Sequence, residues 1–344
     1  MSRRDIGTDD HRVKVRPGKG SRPRTKIRPD YSKLPRGQVI RVDRGRYHVR
    51  TLDSDVYVVA VKARELPHGS VVVGDICALN GDLSGKKDTL ARIVSVDPRR
   101  TALRRTSEEG EAAGNERVIV ANADVLVIVT AVAQPEPRLG MIDRCLVAAY
   151  DANMIPLLVL TKTDIASPEP LISHYQNLNF QIVPSALTTI DETGKEVLDS
   201  EAIAEIKTLI AGKSSVLVGH SGVGKSTLIN ALIPEADRLT GDVNEVTGRG
   251  RHTSTSAMAF DLPGGGTVVD TPGVRTFGLA HVGVQELLRG FPDLAELAEE
   301  CPRGCEHHEG ELDCAFEEVT QANLRSRIIS FRRLLATVSK PEWA

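Results

Sequence analysis

The segment GHSGVGKST at residues 219–227 constrains the fold more strongly than any other part of the chain. It matches the phosphate-loop pattern G-x-x-x-x-G-K-[ST], in which glycines let successive backbone amides point at phosphate groups. The run SSVLV before it is strand-like, and STLINAL begins a helix, as the pattern requires. We therefore predict a nucleotide-binding α/β domain in which the phosphates contact Gly219, His220, Ser221, Gly222, Val223, Gly224, Lys225, Ser226 and Thr227.

Two residues of this loop carry the chemistry of the predicted site. Lys225 is placed to reach the β- and γ-phosphates, and the Ser226 hydroxyl is placed to coordinate Mg²⁺. Further along the chain, DTPG at 270–273 follows a β-like run, where a metal-side acidic loop is expected. We expect Asp270 to hold the Mg²⁺ through water and the Gly273 amide to meet the γ-phosphate.

The motif TKTD, formed by Thr161, Lys162, Thr163 and Asp164, predicts which base the site accepts. A guanine presents N1–H and its N2 amine side by side, and the Asp164 carboxylate can accept both hydrogens. Adenine offers no such donor pair, so it would leave the carboxylate unpaired. Lys162 is expected to lie along the base plane, and the Ser185–Ala186 backbone in the motif SAL to donate to guanine O6. The structural alternative is that Asp164 only caps a helix near SPEPLISHY.

These motifs stand in an unusual order. A conventional GTPase reads phosphate loop, switch threonine, DxxG, [NT]KxD and SAx, whereas this chain reads TKTD, SAL, phosphate loop and DTPG. Apolar runs such as VLVIVTAVA alternate with helix-like segments, which is typical of a parallel sheet covered on both faces. Ligands bind at the carboxyl ends of such strands, which meet whatever their order along the chain. We predict a circularly permuted P-loop GTPase domain over residues 101–290, from which switch movement could pass into the C-terminal segment.

The first 35 residues differ in composition from the rest of the chain. They hold few apolar side chains, so we expect residues 1–35 to be a disordered basic arm. Residues 1–36 carry twelve Lys/Arg and four Asp, a net +8, which leaves −10 for the remainder of a chain with formal net charge −2. A basic arm on an acidic body favours contact with a polyanion such as RNA, and the alternative is a solvated tail.

Residues 36–100 consist of short β-like runs, among them GQVIRVDRGRYHV and SVVVGDICALN, separated by Gly and Asp turns. This pattern predicts a small antiparallel all-β barrel of the OB type, and five-stranded barrels of this size often bind oligonucleotides. Because a fold alone does not fix function, RNA binding depends on the flanking cations. The cations just beyond the last run form either such a surface or a charged linker: Arg99, Arg100, Arg104 and Arg105.

The C-terminal residues 291–344 contain the metal-ligand cluster CPRGCEHHEGELDC. In a chain without an export signal, this clustering favours a metal over disulfides. Three thiolates and one imidazole make a closed, structural zinc site, here Cys301, Cys305, Cys314 and either His307 or His308. The flanking segments predict a small α-helical zinc-binding domain, and Cys77 and Cys145 are predicted core residues. The last helix is cationic, a second candidate RNA-facing surface, at Arg325, Arg327, Arg332 and Arg333.

With a barrel in front and a Cys/His cluster behind, the permuted motif order closely resembles the ribosome-small-subunit-dependent GTPase A family of bacteria, from about residue 37 to 335. The resemblance implies an OB barrel, a permuted GTPase domain and a helical zinc domain. It also implies that the protein hydrolyses GTP slowly alone and faster when bound to the small ribosomal subunit and its rRNA. The resemblance places this activity in late maturation of the subunit, where the protein would check or release assembly factors. The family's ligand spacing, although not matched fully, favours His307 over His308.

The segment GRGRHTSTS at 248–256 resembles the first switch of that family. Thr253 or Thr255 would then complete the Mg²⁺ shell and sense the γ-phosphate. The neighbouring His252 would position the attacking water, unless it is only a surface histidine. Val274 follows DTPG where a Ras-like enzyme has its water-orienting glutamine, and valine cannot orient water. Thr161 replaces the asparagine commoner in this family, which is expected to weaken hydrogen bonding between the base loop and the phosphate loop.

Two other function classes compete with a GTPase. An RNA-binding protein with a purely structural nucleotide site would not need Lys225, Ser226 and Asp270, and a small-molecule kinase leaves TKTD, SAL and DTPG unexplained. No apolar run reaches the roughly 18–20 residues that span a bilayer, and the N-terminus lacks the apolar core of a secretion signal. We expect a cytoplasmic monomer that binds GTP and GDP with Mg²⁺, holds one Zn²⁺ and has no membrane partner.

Overall fold

The computed structural model of the protein describes residues 30–43, 45–106, 116–176, 178, 180–190, 196–234, 257–271, 277, 279 and 282–338. Most of the predicted basic arm therefore lies outside the described residues. The strands are β1 Arg36–Asp43, β2 Arg46–Thr51, β3 Tyr57–Lys62, β4 Ile76–Gly81, β5 Ala91–Val96, β6 Ala102–Thr106, β7 Glu116–Ala121, β8 Val125–Ala131, β9 Ile155–Thr161, β10 Gln181–Ser185, β11 Leu187–Ile190, β12 Glu196–Leu198, β13 Ser214–Val218, β14 Met258–Asp261 and β15 Thr267–Asp270. The helices are α1 Leu139–Asp151, α2 Glu169–Tyr175, α3 Ser200–Ile210, α4 Lys225–Leu232, α5 Val284–Arg289, α6 Pro292–Ala298 and α7 Ala322–Val338, with a 3₁₀ turn at Ala315–Glu317.

Strands β1 to β5 close into a barrel. β1 pairs with β2 and β4, β2 with β3, β3 with β5 in parallel, and β5 with β4, so the ring has no open edge. The sequence of β2, RYHVRT, alternates between the two faces, with Tyr47, Val49 and Thr51 buried and the residues between them turned outward. This closed, OB-like barrel confirms the fold predicted from the β-like runs. The expectation that it is antiparallel throughout is wrong at one place, because β5 closes the ring by pairing in parallel with β3.

A parallel sheet forms the second part, with the order β10-β9-β8-β13-β15. All seven residues of β8 are buried, as expected for a β-branched run covered on both faces. Alternate residues of β8 enter two different cores, one closed by α3 and α4 and the other by α1, α5 and α7. The predicted sandwich of helices around a parallel sheet is therefore observed.

The barrel and the parallel sheet are joined edge to edge. β14 pairs antiparallel with β15 on one side and with β1 of the barrel on the other, which gives one sheet of 11 strands. A second contact lies at the amino ends of the parallel strands, where the Ala121 amide donates to the Val73 carbonyl and the Asn122 side-chain amide to the Gly74 carbonyl. The barrel is thus attached at two places.

The C-terminal helices share a core with the sheet. Phe291, Leu294, Phe331 and Leu335 belong to the same buried cluster as β8 and α1. This core continues across the domain boundary predicted at residue 290, and the boundaries drawn from the sequence stay predictions.

Arg327 corrects one interpretation of the last helix. Its guanidinium is buried, donates to Asp143 Oδ1 of α1 at 2.6 Å and lies 4.2 Å from the centre of the Phe291 ring. The expectation that Arg327 faces RNA is wrong, because this cation neutralises a buried carboxylate at the junction of α1 and α7. Arg325 and Arg333 are exposed, and Arg332 pairs with Glu317.

Candidate functional site

The predicted nucleotide-binding motifs meet at one edge of the parallel sheet. TKTD ends β9, SAL begins at the end of β10, the phosphate loop follows β13, and Asp270 ends β15. Because these strands are parallel neighbours, their carboxyl ends lie side by side, where open α/β sheets bind ligands. The permuted order along the chain therefore assembles one continuous edge.

The phosphate loop has the backbone that its glycines predict. A Cβ on Gly219 would lie 2.5 Å from the Val129 carbonyl oxygen, so no larger residue fits beside β8. Gly224 has φ +88° and caps α4, which begins at Lys225. The loop therefore presents a helix N-terminus, which favours an anion. Ser221, Gly222 and Ser226 are exposed at this end of the sheet, His220 and Thr227 are half-buried, and Val223 is buried beneath the loop.

Lys225 and Asp270 form an ion pair across the loop. Lys225 Nζ donates to Asp270 Oδ1, and the two side chains are only 14% and 24% exposed. The next residue, Thr271, is buried and donates from its hydroxyl to the Leu217 carbonyl at 2.8 Å, which ties the first two residues of DTPG to β13. The predicted phosphate-binding and metal-side groups thus lie in direct contact.

Thr161 connects the base loop to the phosphate loop. Its buried hydroxyl donates to the Val223 carbonyl at 2.6 Å, and Gly224 lies against its side chain. The expected weakening is therefore limited in this chain, because threonine keeps one hydrogen bond between the two loops where an asparagine amide would offer two donors.

Asp164 is held by the SAL segment. Its Oδ1 accepts from the Leu187 amide at 2.8 Å, and the carboxylate is exposed. The alternative role as a helix cap is wrong, because α2 begins at Glu169 with Pro168 at its N-cap and no side-chain cap. The Thr163 amide donates to the Ser185 carbonyl at 3.4 Å. The buried Ser185 hydroxyl, beside Ala186, finds no hydrogen-bond partner among the described residues.

The loop after β8 also reaches this site, although none of its residues is among the predicted site residues. Lys162 Nζ donates to the Gln134 carbonyl, and Pro135 lies 3.9 Å from where a Cβ on Gly222 would stand. The signal in the sequence is the polar and proline run QPEP, which follows the end of the buried strand β8 after two intervening residues. Strand ends at this edge are where ligand contacts are expected.

Several predicted residues lie outside the described part of the chain. They are the first-switch residues His252, Thr253 and Thr255, together with Gly273 and Val274 of the second switch. Their assigned roles stay predictions.

The Cys/His cluster is brought together as predicted. The ligand atoms of Cys301, Cys305, His307 and Cys314 all lie within 4.8 Å of one another. His307 Nδ1 is 3.6, 3.4 and 3.8 Å from the Sγ atoms of Cys301, Cys305 and Cys314. Tetrahedral zinc, with bonds of about 2.3 Å to sulfur and about 2.0 Å to nitrogen, requires separations of about 3.5–3.8 Å. The four side chains therefore fit a tetrahedral metal ion.

His307 and His308 have different surroundings. His307 is buried, stacks on Phe316 at 4.7 Å and has a pKa lowered by burial, so its neutral imidazole suits a metal. His308 is half exposed and its Nε2 lies 3.4 Å from Glu306. Burial also raises the pKa of the Cys305 and Cys314 thiols. The two remaining cysteines, Cys77 and Cys145, are buried in cores as predicted, and burial raises the pKa of Cys77 to about 12.

The cations beyond the barrel divide into two pairs. Arg99 donates to the buried Asp75 at 2.7 Å and holds the end of the barrel segment on the barrel, whereas Arg100 donates to Asp124 at 3.0 Å, next to the first residue of β8. Arg104 and Arg105 are exposed on β6. Two further arginines, Arg46 and Arg50, lie on the outward side of β2 and were not predicted; His48 lies between them, and burial lowers the pKa of its imidazole. Their signal in the sequence is the strict alternation of RYHVRT.

Among the described residues, none of the helices combines the length and apolar character that a bilayer crossing requires.

Comparison with solved structures supports the fold. YjeQ from Thermotoga maritima matches with a TM-score of 0.64 at 23% identity, over 89% of this chain and 99% of that one. YloQ, described as a circularly permuted GTPase, matches with a TM-score of 0.61 at 22% identity, over 92% and 99%.

Sequence comparison gives a closer relation. A protein from Pseudomonas aeruginosa named small ribosomal subunit biogenesis GTPase RsgA is 34% identical over 316 residues, covering 89% of this chain and 86% of that protein. The protein of the same name from Azotobacter vinelandii is 37% identical over 259 residues, covering 73% and 71%. The family model described as RsgA GTPase matches residues 96–280. The chain therefore belongs to the RsgA GTPase family, whose members are GTP-hydrolysing enzymes.

Proposed function

We propose that this protein binds the small ribosomal subunit and hydrolyses GTP during late maturation of that particle, so that assembly factors are checked or released. The observation that carries the nucleotide half is the contact between Thr161 and Val223, which places the base loop against the phosphate loop. The printed name of the relatives supports the ribosomal half.

Guanine recognition rests on Asp164 and its neighbours. The carboxylate is exposed at the sheet edge, and its bond to the Leu187 amide orients it without satisfying all of its acceptor sites. Guanine N1–H and N2–H would take the remaining sites, and the Ala186 amide would donate to O6. Lys162, held by the loop after β8, would cover one face of the base.

Phosphate binding exchanges one ion pair for another. Lys225 leaves Asp270 and neutralises the β- and γ-phosphates, because their charge exceeds that of a single carboxylate. Asp270, Ser226 and Thr253 or Thr255 would then hold the magnesium ion, which supplies charge neutralisation for the developing transition state. The helix N-terminus at Gly224 adds its dipole to the same phosphates.

The remaining step is the positioning of water. We assign it to His252 or to a group of the subunit, because Val274 cannot orient a water molecule. Hydrolysis in isolation is therefore slow. The exposed Arg104 and Arg105, with the basic N-terminal arm, would contact rRNA phosphates of the subunit in the cytoplasm, with the protein acting as a monomer.

The Cys301, Cys305, His307 and Cys314 cluster would hold one zinc ion in a structural role. Four protein ligands leave no open coordination position, and the set of three thiolates and an imidazole is the one that zinc prefers. These ligands would fix the loop before α7 onto the core that the helices share with the sheet.

The test is GTP turnover measured with and without purified small subunits across a salt series. We expect slow turnover alone, acceleration of roughly tenfold or more with subunits at low salt, and loss of that acceleration as salt screens the phosphate contacts. Lys225→Ala is the control and should remove turnover in both conditions. If GTP turnover is unchanged on adding subunits at low salt, the proposal that the protein acts on the small subunit is refuted. If turnover persists in Lys225→Ala, the assignment of the nucleotide site to the phosphate loop is refuted.

A further inference from the structure

The hairpin β14–β15 connects the two predicted switch segments. Residues 248–256 stand just before β14, and Asp270 at the end of β15 opens DTPG. The register pairs Met258 with Asp270 and Asp261 with Thr267. A rearrangement of either switch therefore acts directly on one end of this hairpin.

The outer edge of the same hairpin belongs to the barrel. Met258 pairs with Arg41 of β1, so the barrel, the hairpin and Asp270 lie on three adjacent strands. At the other end of β14, Asp261 receives two hydrogen bonds from the barrel. Arg50 Nη1 donates to its Oδ1 at 2.7 Å and the Tyr57 hydroxyl donates to its Oδ2 at 2.6 Å.

These two barrel residues lie on a face suited to RNA. Arg50 belongs to β2 and Tyr57 to β3, and strands 2 and 3 form the oligonucleotide-binding face of OB barrels. Tyr57 is 52% exposed, and Arg46 adds a second arginine to the outward side of β2. A phosphate on this face would compete with the Asp261 carboxylate for Arg50, and a base would stack on the Tyr57 ring.

Part of the join between the barrel and the sheet is an open cleft. A cleft of about 510 Å³ lies between the barrel and the amino ends of the parallel strands, lined by polar groups that include Arg50, Asp97, Asp124 and Lys213. Because this cleft is polar and open, the barrel can shift there with little loss of buried apolar surface. The hydrogen bonds along β14 are therefore well placed to respond when a ligand binds to the barrel.

We propose that Asp261 couples the hairpin between the switches to the RNA-facing side of β2 and β3 through its hydrogen bonds with Arg50 and Tyr57. Thermodynamic linkage makes the coupling reciprocal: RNA bound to the barrel changes the affinity of the site for GTP, and bound GTP changes the affinity of the barrel for RNA by the same factor. This proposal rests on the proposed GTPase function and adds the route by which a bound RNA reaches the nucleotide.

Backbone hydrogen exchange with GDP and with a non-hydrolysable GTP analogue tests the route in the full chain without ribosomes. In the wild type, exchange should differ between the two nucleotides in β14–β15 and also in β2–β3, by about fivefold or more, the lower end of typical allosteric couplings. Asp261→Asn and Tyr57→Phe should keep the difference in β14–β15 and lose it in β2–β3.

Asp55→Asn is the matched control. Asp55 also lies near Arg50, at 3.6 Å, but it is 80% exposed and is not on the hairpin, so this variant removes the same charge and should behave as the wild type. A nucleotide-dependent difference confined to β14–β15 in the wild type, or one that persists in β2–β3 of Asp261→Asn, overturns the proposed link alone. No difference anywhere overturns both the link and the nucleotide response on which it rests.

Discussion

The hydrogen bond between Thr161 and Val223 gives a sharp test of how the permuted site is assembled. Thr161→Val keeps the shape of the side chain and removes the hydroxyl donor, whose short contact is with the Val223 carbonyl at 2.6 Å and whose longer contact is with the Thr130 carbonyl of β8 at 3.3 Å. Removing one partner of a buried hydrogen bond costs about 1–3 kcal/mol, because the other partner is left unsatisfied. The lost bond destabilises the nucleotide-free protein as well as the complex, so only part of this cost appears in binding. We expect the binding free energy to weaken by about 1–2 kcal/mol, or roughly 5- to 30-fold in Kd.

The assay is calorimetric titration with GDP and GTP at fixed Mg²⁺. Both nucleotides should weaken equally, because the bond joins two loops and touches neither base nor γ-phosphate. Thr101→Val is a matched control, since the buried Thr101 hydroxyl also donates to a backbone carbonyl, that of Ala123, at 2.6 Å. It lies at the barrel–sheet join, so it should lower the free energy of unfolding and leave nucleotide Kd within about twofold. Equal losses of affinity in the two variants, or none in Thr161→Val, would refute the reasoning.

Three further predictions concern the base, the core and the metal. Asp164→Asn should shift preference from GTP toward the xanthine nucleotide, whose O2 accepts from the new amide; an unchanged ratio of the two Kd values contradicts base reading. Arg327→Met should lower the free energy of unfolding by about 3–5 kcal/mol in urea titrations, because it removes the buried cation that neutralises the Asp143 carboxylate. Arg325→Met, on the same helix, removes an exposed guanidinium that donates to the Val319 carbonyl and should cost about 1 kcal/mol or less, and an equal loss of stability in the two variants would contradict the role assigned to the buried pair. His307→Gln should lower the zinc content measured by atomic emission well below one per chain and His308→Gln should not; the reverse would reassign the ligand.

The nucleotide site could be predicted from the sequence because each of its parts is a short local motif. Gly219 and Gly224 are needed for a particular backbone path, and TKTD and Asp270 end buried apolar strands, so each signal is complete within a few residues. Their assembly also followed, since parallel strands place their carboxyl ends at one edge in any chain order.

Long-range pairings were not visible in the same way. Arg327 and Asp143 are 184 residues apart, and each is an ordinary charged residue within its own helix. A cationic helix face can turn to solvent or to a buried carboxylate, and only the packing of α7 on α1 decides between them. The hydrogen bonds of Asp261 to Arg50 and Tyr57 are of the same kind, since they cross from hairpin to barrel.

The sequence by itself determined the local elements of this protein: a closed barrel, a phosphate loop, a base loop in permuted order and a four-residue Cys/His cluster. Backbone geometry, strand alternation and ligand chemistry act over a few residues, so they can be read without knowing the fold. Only the tertiary structure decided that β14 joins the barrel to the switch hairpin, that the C-terminal helices share the core of the sheet, and which cations are buried. Those outcomes depend on which surfaces meet, and contact between distant segments leaves no local pattern.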